Sequence, residues 1–205
     1  PLLQSSAASD VYKRQGIEGT YDQIVALYES PGVSGLDNEN ISITDEITVT
    51  QANAIDLLTT GVVTASIVTT ETVDSLKTLT GTNAYTIVIS ETSASASDLN
   101  TINGLTTAEI NLTNVTSVTS GTLSDLDTLA TAINASPAQF INATNLTTNA
   151  VSDSAIDISS SASTIDELDQ IDSSSSIDMT MASGATITVA ALSLIHISEP
   201  TRQAS

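Results

Sequence analysis

The chain has 205 residues, with 4 Lys+Arg against 24 Asp+Glu, one His, no Cys, no Trp and 2% aromatic residues. That composition excludes a disulfide framework and cysteine-based metal sites, and a net charge of −20 argues against nucleic-acid or anionic-membrane partners. No apolar run reaches the roughly 18 residues of a membrane span, whereas 40% hydrophobic content rich in Ile and Val, beside 32 Thr and 30 Ser, suits strands more than disorder.

In chain order, the first segment is Ser5-Ser6-Ala7-Ala8-Ser9-Asp10-Val11-Tyr12-Lys13-Arg14-Gln15, which resembles a translated transposase adapter of the kind used to build sequencing libraries. Leu192-Ser193-Leu194-Ile195-His196-Ile197-Ser198-Glu199-Pro200-Thr201-Arg202 resembles the partner adapter on the opposite flank. The resemblance implies that residues 1–15 and 192–205 are adapter-derived. Residues 16–191 are then one natural segment cut from a longer chain. His196, Lys13, Arg14 and Arg202 fall outside it, leaving Lys77 as its only basic side chain beside 22 acids, a charge of −21. Ser-His-Asp, Cys-His and His-metal chemistries lose their essential member.

From Gly16 onward one motif recurs: a capping residue, an apolar residue, any residue, Asp/Glu/Gln/Ser, then Leu or Ile. Thr20-Tyr21-Asp22-Gln23-Ile24 predicts the first helix start, and the alternation of Ile41, Ile43, Ile47 and Val49 predicts strand. Asn53-Ala54-Ile55-Asp56-Leu57 and Thr72-Val73-Asp74-Ser75-Leu76 predict further helix starts. A strand at Tyr85, Ile87 and Ile89 leads to the start at Ser95-Ala96-Ser97-Asp98-Leu99. A strand at Ile110 and Leu112 leads to the start at Thr122-Leu123-Ser124-Asp125-Leu126. Asn142-Ala143-Thr144-Asn145-Leu146 reads as a worn copy and Thr164-Ile165-Asp166-Glu167-Leu168 as the last. Around the last copy, Ile156 with Ile158, Ile177 with Met179 and Met181, and Ile187 with Val189 predict short strands.

The motif works locally. The cap oxygen accepts from the N3 amide, while a Gln or Glu at N3 reaches back to the cap. Its Leu/Ile anchors at 24, 57, 76, 99, 126 and 168 give a unit of roughly 19–27 residues with one longer insertion. One such unit buries too few apolar side chains to offset the ordering of its backbone, so neighbours must stack. The expected fold is a mainly β repeat solenoid, β-helix-like, with a short helical turn in each unit.

The stretch Gly19-Thr20-Tyr21-Asp22-Gln23-Ile24-Val25-Ala26-Leu27-Tyr28, followed by Gly32-Val33-Ser34-Gly35-Leu36-Asp37-Asn38-Glu39 and Ile41-Ser42-Ile43-Thr44-Asp45, resembles the giant repetitive cell-surface proteins of marine cyanobacteria and similar bacterial adhesin-like repeats. Leu58-Thr59-Thr60-Gly61-Val62-Val63 and Ser97-Asp98-Leu99-Asn100-Thr101-Ile102-Asn103-Gly104-Leu105-Thr106-Thr107 share that style, which fades into the Ser-rich residues 152–176. The resemblance implies an exported, acidic, extracellular or cell-surface polypeptide with structural, adhesive or motility-related roles.

No catalytic, cofactor-binding or metal-binding residue is assigned. Asp125 with Asp127, and Asp166, Glu167, Asp169 and Asp172, offer oxygen ligands to calcium, yet no EF-hand or calcium nonapeptide is present, and helix-cap and solvated roles account for them. Tyr21, Tyr28, Tyr85 and Phe140 are too few to form sugar platforms, and a paired-carboxylate enzyme needs two acids in unlike environments. The Asn-x-Ser/Thr triplets at Asn40, Asn111, Asn114, Asn134, Asn142 and Asn145 read as chance matches in a hydroxyl-rich chain. Thr48-Val49-Thr50 and Thr186-Ile187-Thr188 have the Thr-x-Thr form of ice-binding columns but read as ordinary strand residues.

The expected function is a structural or adhesive segment without catalytic activity or cofactor. Its expected partners are neighbouring repeats of the parent chain, surface polysaccharide and loosely held divalent cations, with no nucleic acid and no membrane span. The alternatives are a calcium-dependent adhesin module and a β-helix polysaccharide-active enzyme.

Overall fold

The structure is a computed structural model that describes residues 16–119, 121–135, 137–143, 146–148, 155–157, 177–178 and 186–188. Five helices alternate with short strands among these residues. The chain runs β1 (Ile17–Gly19), α1 (Tyr21–Tyr28), β2 (Ile41–Ile47), α2 (Val49–Asp56), β3 (Val63–Ile67), α3 (Val73–Leu76) and β4 (Ala84–Val88). It continues through β5 (Ser93–Ala94), α4 (Ala96–Asn103), β6 (Ile110–Asn111), β7 (Ser117–Val118), α5 (Leu123–Asn134), β8 (Phe140–Ile141) and β9 (Leu146–Thr148). Strands β10 (Ala155–Asp157), β11 (Ile177–Asp178) and β12 (Thr186–Thr188) complete the described elements.

Six strands form one parallel sheet in the order β1-β2-β3-β4-β6-β8. A second parallel sheet has the order β11-β9-β7-β5, and β10 pairs with β12. Parallel neighbours need a crossover, and the helices between consecutive strands provide it. The arrangement is α/β. It overturns the expected mainly β solenoid with one helical turn per unit, because the helices run to 8 residues in α1, α2 and α4 and to 12 in α5. The local cause is a cap followed by apolar residues at i, i+3 and i+6. Val49, Ala52 and Ile55 in α2, Ala96, Leu99 and Ile102 in α4, and Leu123, Leu126 and Leu129 in α5 are all buried on one stripe.

The strands meet that stripe with every second residue. Ile41, Ile43 and Ile47 of β2, Val63, Ala65 and Ile67 of β3, and Tyr85 and Ile87 of β4 are buried in the same core. In register, Ile41 lies beside Val63, Ala65 beside Tyr85, and Ile87 beside Ile110, which in turn faces Phe140. Outward positions are short and polar: Ser42 pairs with Thr64 and Ser66 with Thr86. Threonine at such outward positions keeps its strand propensity while its hydroxyl faces solvent.

Helix starts at Thr20, Thr72, Ser95 and Thr122 fall where the motif places them, each cap oxygen accepting from the N3 amide. The second start does not. Its cap is Thr48, which with Gln51 forms a full capping box, so the five starts lie 28, 24, 23 and 27 residues apart. Val49 is therefore the first helical residue and not a strand position, and Asn53 lies inside α2. The worn copy at Asn142 starts no helix in the described residues. Asn142 takes a left-handed φ of 58°, and Leu146 opens β9. The copy at Thr164 lies outside the described residues.

Candidate functional site

Polar side chains of the described units bond across unit boundaries in two recurring arrangements and one single ion-paired cluster. The first sits at helix starts. The Tyr21 N–H donates to Asp45 Oδ1 at 2.9 Å, the Val49 N–H to Glu71 Oε1 at 2.9 Å and the Val73 N–H to Glu91 Oε1 at 2.7 Å. These are first-turn amides, which have no partner inside their own helix. A carboxylate there also meets the positive end of the helix dipole. Each acid comes 18 to 24 residues later in the chain than the amide it receives, from the strand side of the following unit. The register of β2 against β3 shifts between Ser42 and Glu46, and Asp45 stands in that shift. Glu71 also accepts from Ser75 Oγ, and Ser90 Oγ, with one proton to donate, lies 3.1 Å from both the Glu71 carbonyl oxygen and Glu91 Oε2.

The second arrangement is a column of buried polar residues at the entry to each strand. Glu39, Thr59, Asn83 and Thr106 precede β2, β3, β4 and β6, and none exceeds 7% exposure. Thr59 Oγ1 donates to the Glu39 carbonyl at 2.7 Å and accepts from the Gly61 N–H at 2.9 Å. Asn83 Oδ1 accepts from the Val63 N–H at 2.8 Å, and its Nδ2 donates to Asp56 Oδ1 at 2.7 Å. Thr106 Oγ1 donates to the Tyr85 carbonyl at 2.7 Å and accepts from the N–H groups of Tyr85 at 2.9 Å and Ala108 at 3.1 Å. One donor and two acceptor positions are all that a hydroxyl has, so Thr106 is saturated. Asp56 also accepts from Thr80 Oγ1 at 2.9 Å, beside Gly81, whose φ of +70° suits glycine.

The single cluster is electrostatic. Lys77 bridges Asp74 at 2.9 Å and Asp98 at 2.6 Å, tying α3 to α4. The bonds to Asp98 and then Asp74 raise the Lys77 pKa. Burial pushes the Asp98 carboxyl up, but the bonds from Lys77 and Ser95 outweigh it and hold the group below its ordinary value. A carboxyl depressed in the fold contributes stability above its unfolded pKa, about 3.9, and loses it as pH falls through the lower folded value. A lysine raised in the fold contributes below its unfolded pKa, about 10.4, and loses it as pH rises through the folded one. Lys77→Met is therefore expected to flatten the stability profile at both limbs. Equilibrium unfolding from pH 2 to 11 checks it, and unchanged limbs would remove the pair as a contributor.

A groove of about 540 Å³ opens where α4 and α5 end and β6 and β8 begin, lined by Asn103, Thr106, Thr107, Glu109, Pro137 and Gln139 among others. Its two carboxamides already bond each other, Asn103 Nδ2 to Gln139 Oε1 at 2.5 Å.

The residues weighed from the sequence fall into place around these ladders. Asp125 is the N3 partner of Thr122 in a capping box, and Asp127 is half-buried on the same helix. Asp166, Glu167, Asp169 and Asp172 lie outside the described residues. Among the described residues, no group of three or more His, Cys, Asp or Glu is placed to hold a metal ion. Tyr85 and Phe140 are core residues, and burial, then the nearby Asp56, raises the Tyr85 phenol pKa. Tyr21 and Tyr28 are half-buried on α1, with the Tyr28 phenol raised by burial and by Glu39.

Four asparagines of the Asn-x-Ser/Thr triplets use their carboxamides internally. Asn40 Oδ1 accepts from the Val62 N–H, Asn111 Oδ1 from the Thr113 N–H and from Asn142 Nδ2, and Asn114 Nδ2 donates to the Ile89 carbonyl. Asn134 is the last residue of α5, and Asn145 lies outside the described residues. Thr48-Val49-Thr50 is a helix start, and Thr186-Ile187-Thr188 is β12, whose register partners are Ala155, Ile156 and Asp157 and not further threonines.

Asp45, Glu71 and Glu91, and the column from Glu39 to Thr106, are the residues that the motif reading does not single out. A signal for the column exists: its members are 20, 24 and 23 residues apart, near the unit length. No helix among the described residues is long and apolar enough to cross a membrane. Compared with protein-family models, with curated proteins and with solved structures, the chain matches none.

Proposed function

We propose that the chain is a structural and adhesive segment of a large bacterial cell-surface or secreted protein, without catalytic activity of its own. The observation that supports it is the direction in which its polar chemistry points. The carboxylates of Asp45, Glu71 and Glu91, the amides of Asn53 and Asn83 and the ammonium of Lys77 all bond to an adjacent unit. Side chains committed this way hold neighbours in register and are unavailable to a substrate. Neighbouring repeats are thus the first partner. The resemblance to bacterial surface repeats supplies the extracellular location, and divalent cations meet the exposed acids only as a diffuse atmosphere.

The location is tested by antibody against residues 16–191 on cells carrying the parent gene. Intact cells are expected to label, and labelling only after permeabilisation would sink the reading. The cation statement has its own readout. Exchanging calcium for a chelator is expected to leave the melting temperature of the chain unchanged, while a shift of ten degrees or so would assign a dedicated calcium site.

A further inference from the structure

Helix α5 departs from the pattern of the others: it has 12 residues, while α1, α2 and α4 have 8. Asn100 of α4 donates to the Asp125 carbonyl of α5 at 2.8 Å, so α4 ends alongside the middle of α5 and the rest of α5 overhangs it. The groove of about 540 Å³ lies at this overhang, between the segment that leaves α4 and the segment that leaves α5. In a stack of repeats, an added stretch in one unit is carried on one face, often the binding face. The volume falls within the roughly 300–1,000 Å³ of small-molecule sites, and every residue that lines the groove belongs to the described residues.

Three polar groups of the lining have bonding capacity left. Asn103 and Gln139 pair through one N–H and one carbonyl, which leaves the Asn103 carbonyl oxygen and the Gln139 NH2 group without a partner among the described residues. Glu109 is solvent-exposed, and its carboxylate bonds no described residue. Ile110 lies beside Phe140 in the parallel ladder and donates its N–H to the Gln139 carbonyl, so Glu109 and Gln139 are neighbours across that ladder. Ala135, Pro137 and Ala138 supply a small apolar wall. These groups select a ligand class. Glu109 is the only charge in the lining, on a chain of net charge −20, so an anion is repelled. An apolar molecule would strip water from the free amide groups without replacing its bonds. One carboxylate falls short of the roughly 6–8 oxygens that calcium takes. A hydroxyl both donates and accepts, so neighbouring hydroxyls on one ring satisfy carboxylate, carbonyl and NH2 together. Hydrolysis by paired carboxylates needs a second acid, and the lining holds one.

We infer that this groove binds a neutral polysaccharide segment of about two rings, held by Asn103, Glu109 and Gln139. The Glu109 carboxylate accepts from two hydroxyls of one ring, while the carboxamide pair accepts from one hydroxyl and donates to another. No lining residue is aromatic, so stacking on a ring face adds nothing, and the dissociation constant is expected on the order of millimolar. The inference rests on the adhesive reading above and names the ligand class it takes.

The test follows the side-chain amide signals of Asn103 and Gln139 by NMR in the isotope-labelled chain. Gluco-, manno-, galacto- and xylo-oligosaccharides are each added to about 20 mM, with oligogalacturonate and a neutral glycine–serine peptide as comparators. At least one neutral oligosaccharide is expected to shift both signals and to saturate, while oligogalacturonate leaves them in place. Glu109→Ala is expected to weaken that binding about tenfold. Its melting temperature and circular dichroism are expected to match the parent's, since Glu109 is exposed and bonds no described residue. Asp22→Ala, on α1, controls for a general loss of charge and is expected to bind as the parent does. No shift with any of the neutral sugars would overturn the inference. So would equal shifts with oligogalacturonate, or binding that survives Glu109→Ala. Shifts with the peptide alone would assign the groove to a protein partner and equally overturn it. In each failure, antibody labelling of intact cells would still stand. Labelling only after permeabilisation would leave sugar binding in place, so the two readings fail separately.

Discussion

Gly61→Ala is expected to destabilise the chain by about 3 kcal/mol or more, at the upper end of what overpacking costs. A Cβ at this position would lie 2.2 Å from the Glu39 carbonyl oxygen, 2.5 Å from its carbon and 2.9 Å from the Asn40 nitrogen. All three obstacles are backbone, and they cannot swing aside as a side-chain tip would. The Glu39 oxygen is moreover the acceptor for Thr59 Oγ1, and Asn40 holds the Val62 N–H. Relief requires β2 and β3 to part at the entry to the sheet. Gly32→Ala is the matched control, because a Cβ there meets nothing within 4 Å, and its effect is expected within about 0.5 kcal/mol. Urea unfolding of both variants checks the contrast. A Gly61→Ala chain as stable as Gly32→Ala would show that the two units do not touch as described.

Asn83→Leu is expected to cost about 3 kcal/mol. The residue is 2% exposed, and its side chain serves two partners in another unit, the Val63 N–H and Asp56. Leucine leaves the amide a buried donor without an acceptor, about 1–3 kcal/mol, and removes a bond to a carboxylate, about 1.5–3 kcal/mol. Part of this is offset by the apolar surface that leucine buries. Asn83→Asp separates the two losses. It keeps an acceptor for Val63 but sets a second carboxylate against Asp56. Amide exchange at Val63 is therefore expected to accelerate in the leucine variant and to stay near the parental rate, relative to global unfolding, in the aspartate variant. Unchanged Val63 protection in Asn83→Leu would refute the column as an inter-unit tie.

What could be read from the sequence follows the range of the interaction. The caps at Thr20, Thr72, Ser95 and Thr122 were legible because cap and N3 amide are three residues apart, and the oxygen chemistry is written in the residue type. Thr48 was hidden by its neighbours. Val49 and Thr50 are β-branched and continue the alternation of Ile43 and Ile47, so the segment looks like strand, and only Gln51 at N3 marks the box. Asn53 looked like a cap because asparagine favours that role. Its carboxamide instead reaches sideways, donating to the Thr78 carbonyl at 2.8 Å and accepting from the Thr80 N–H at 2.9 Å.

Fold class is hidden for a related reason. Two-residue alternation at Ile41, Tyr85 and Ile110 does mark strands, but it says nothing about how far the intervening helices extend or that the ladders are parallel. The acid ties were not legible at all. Their partners lie 18 to 24 residues away, and a surface glutamate looks the same whether it is solvated or bound to a neighbour's amide.

The direction of those acid ties has a temporal consequence. Helix α1 is complete in sequence at Tyr28, yet the group that receives its first amide is Asp45, and α2 waits likewise for Glu71. A chain emerging from the ribosome at about 5–20 residues per second leaves each of these three helix starts open for roughly one to five seconds, until its acid appears. Assembly then advances with a lag of one unit, each newcomer locking its predecessor. The growing end is always the loosest part, and shortening the chain from its C-terminal side loosens the unit before the cut as well as removing the unit beyond it.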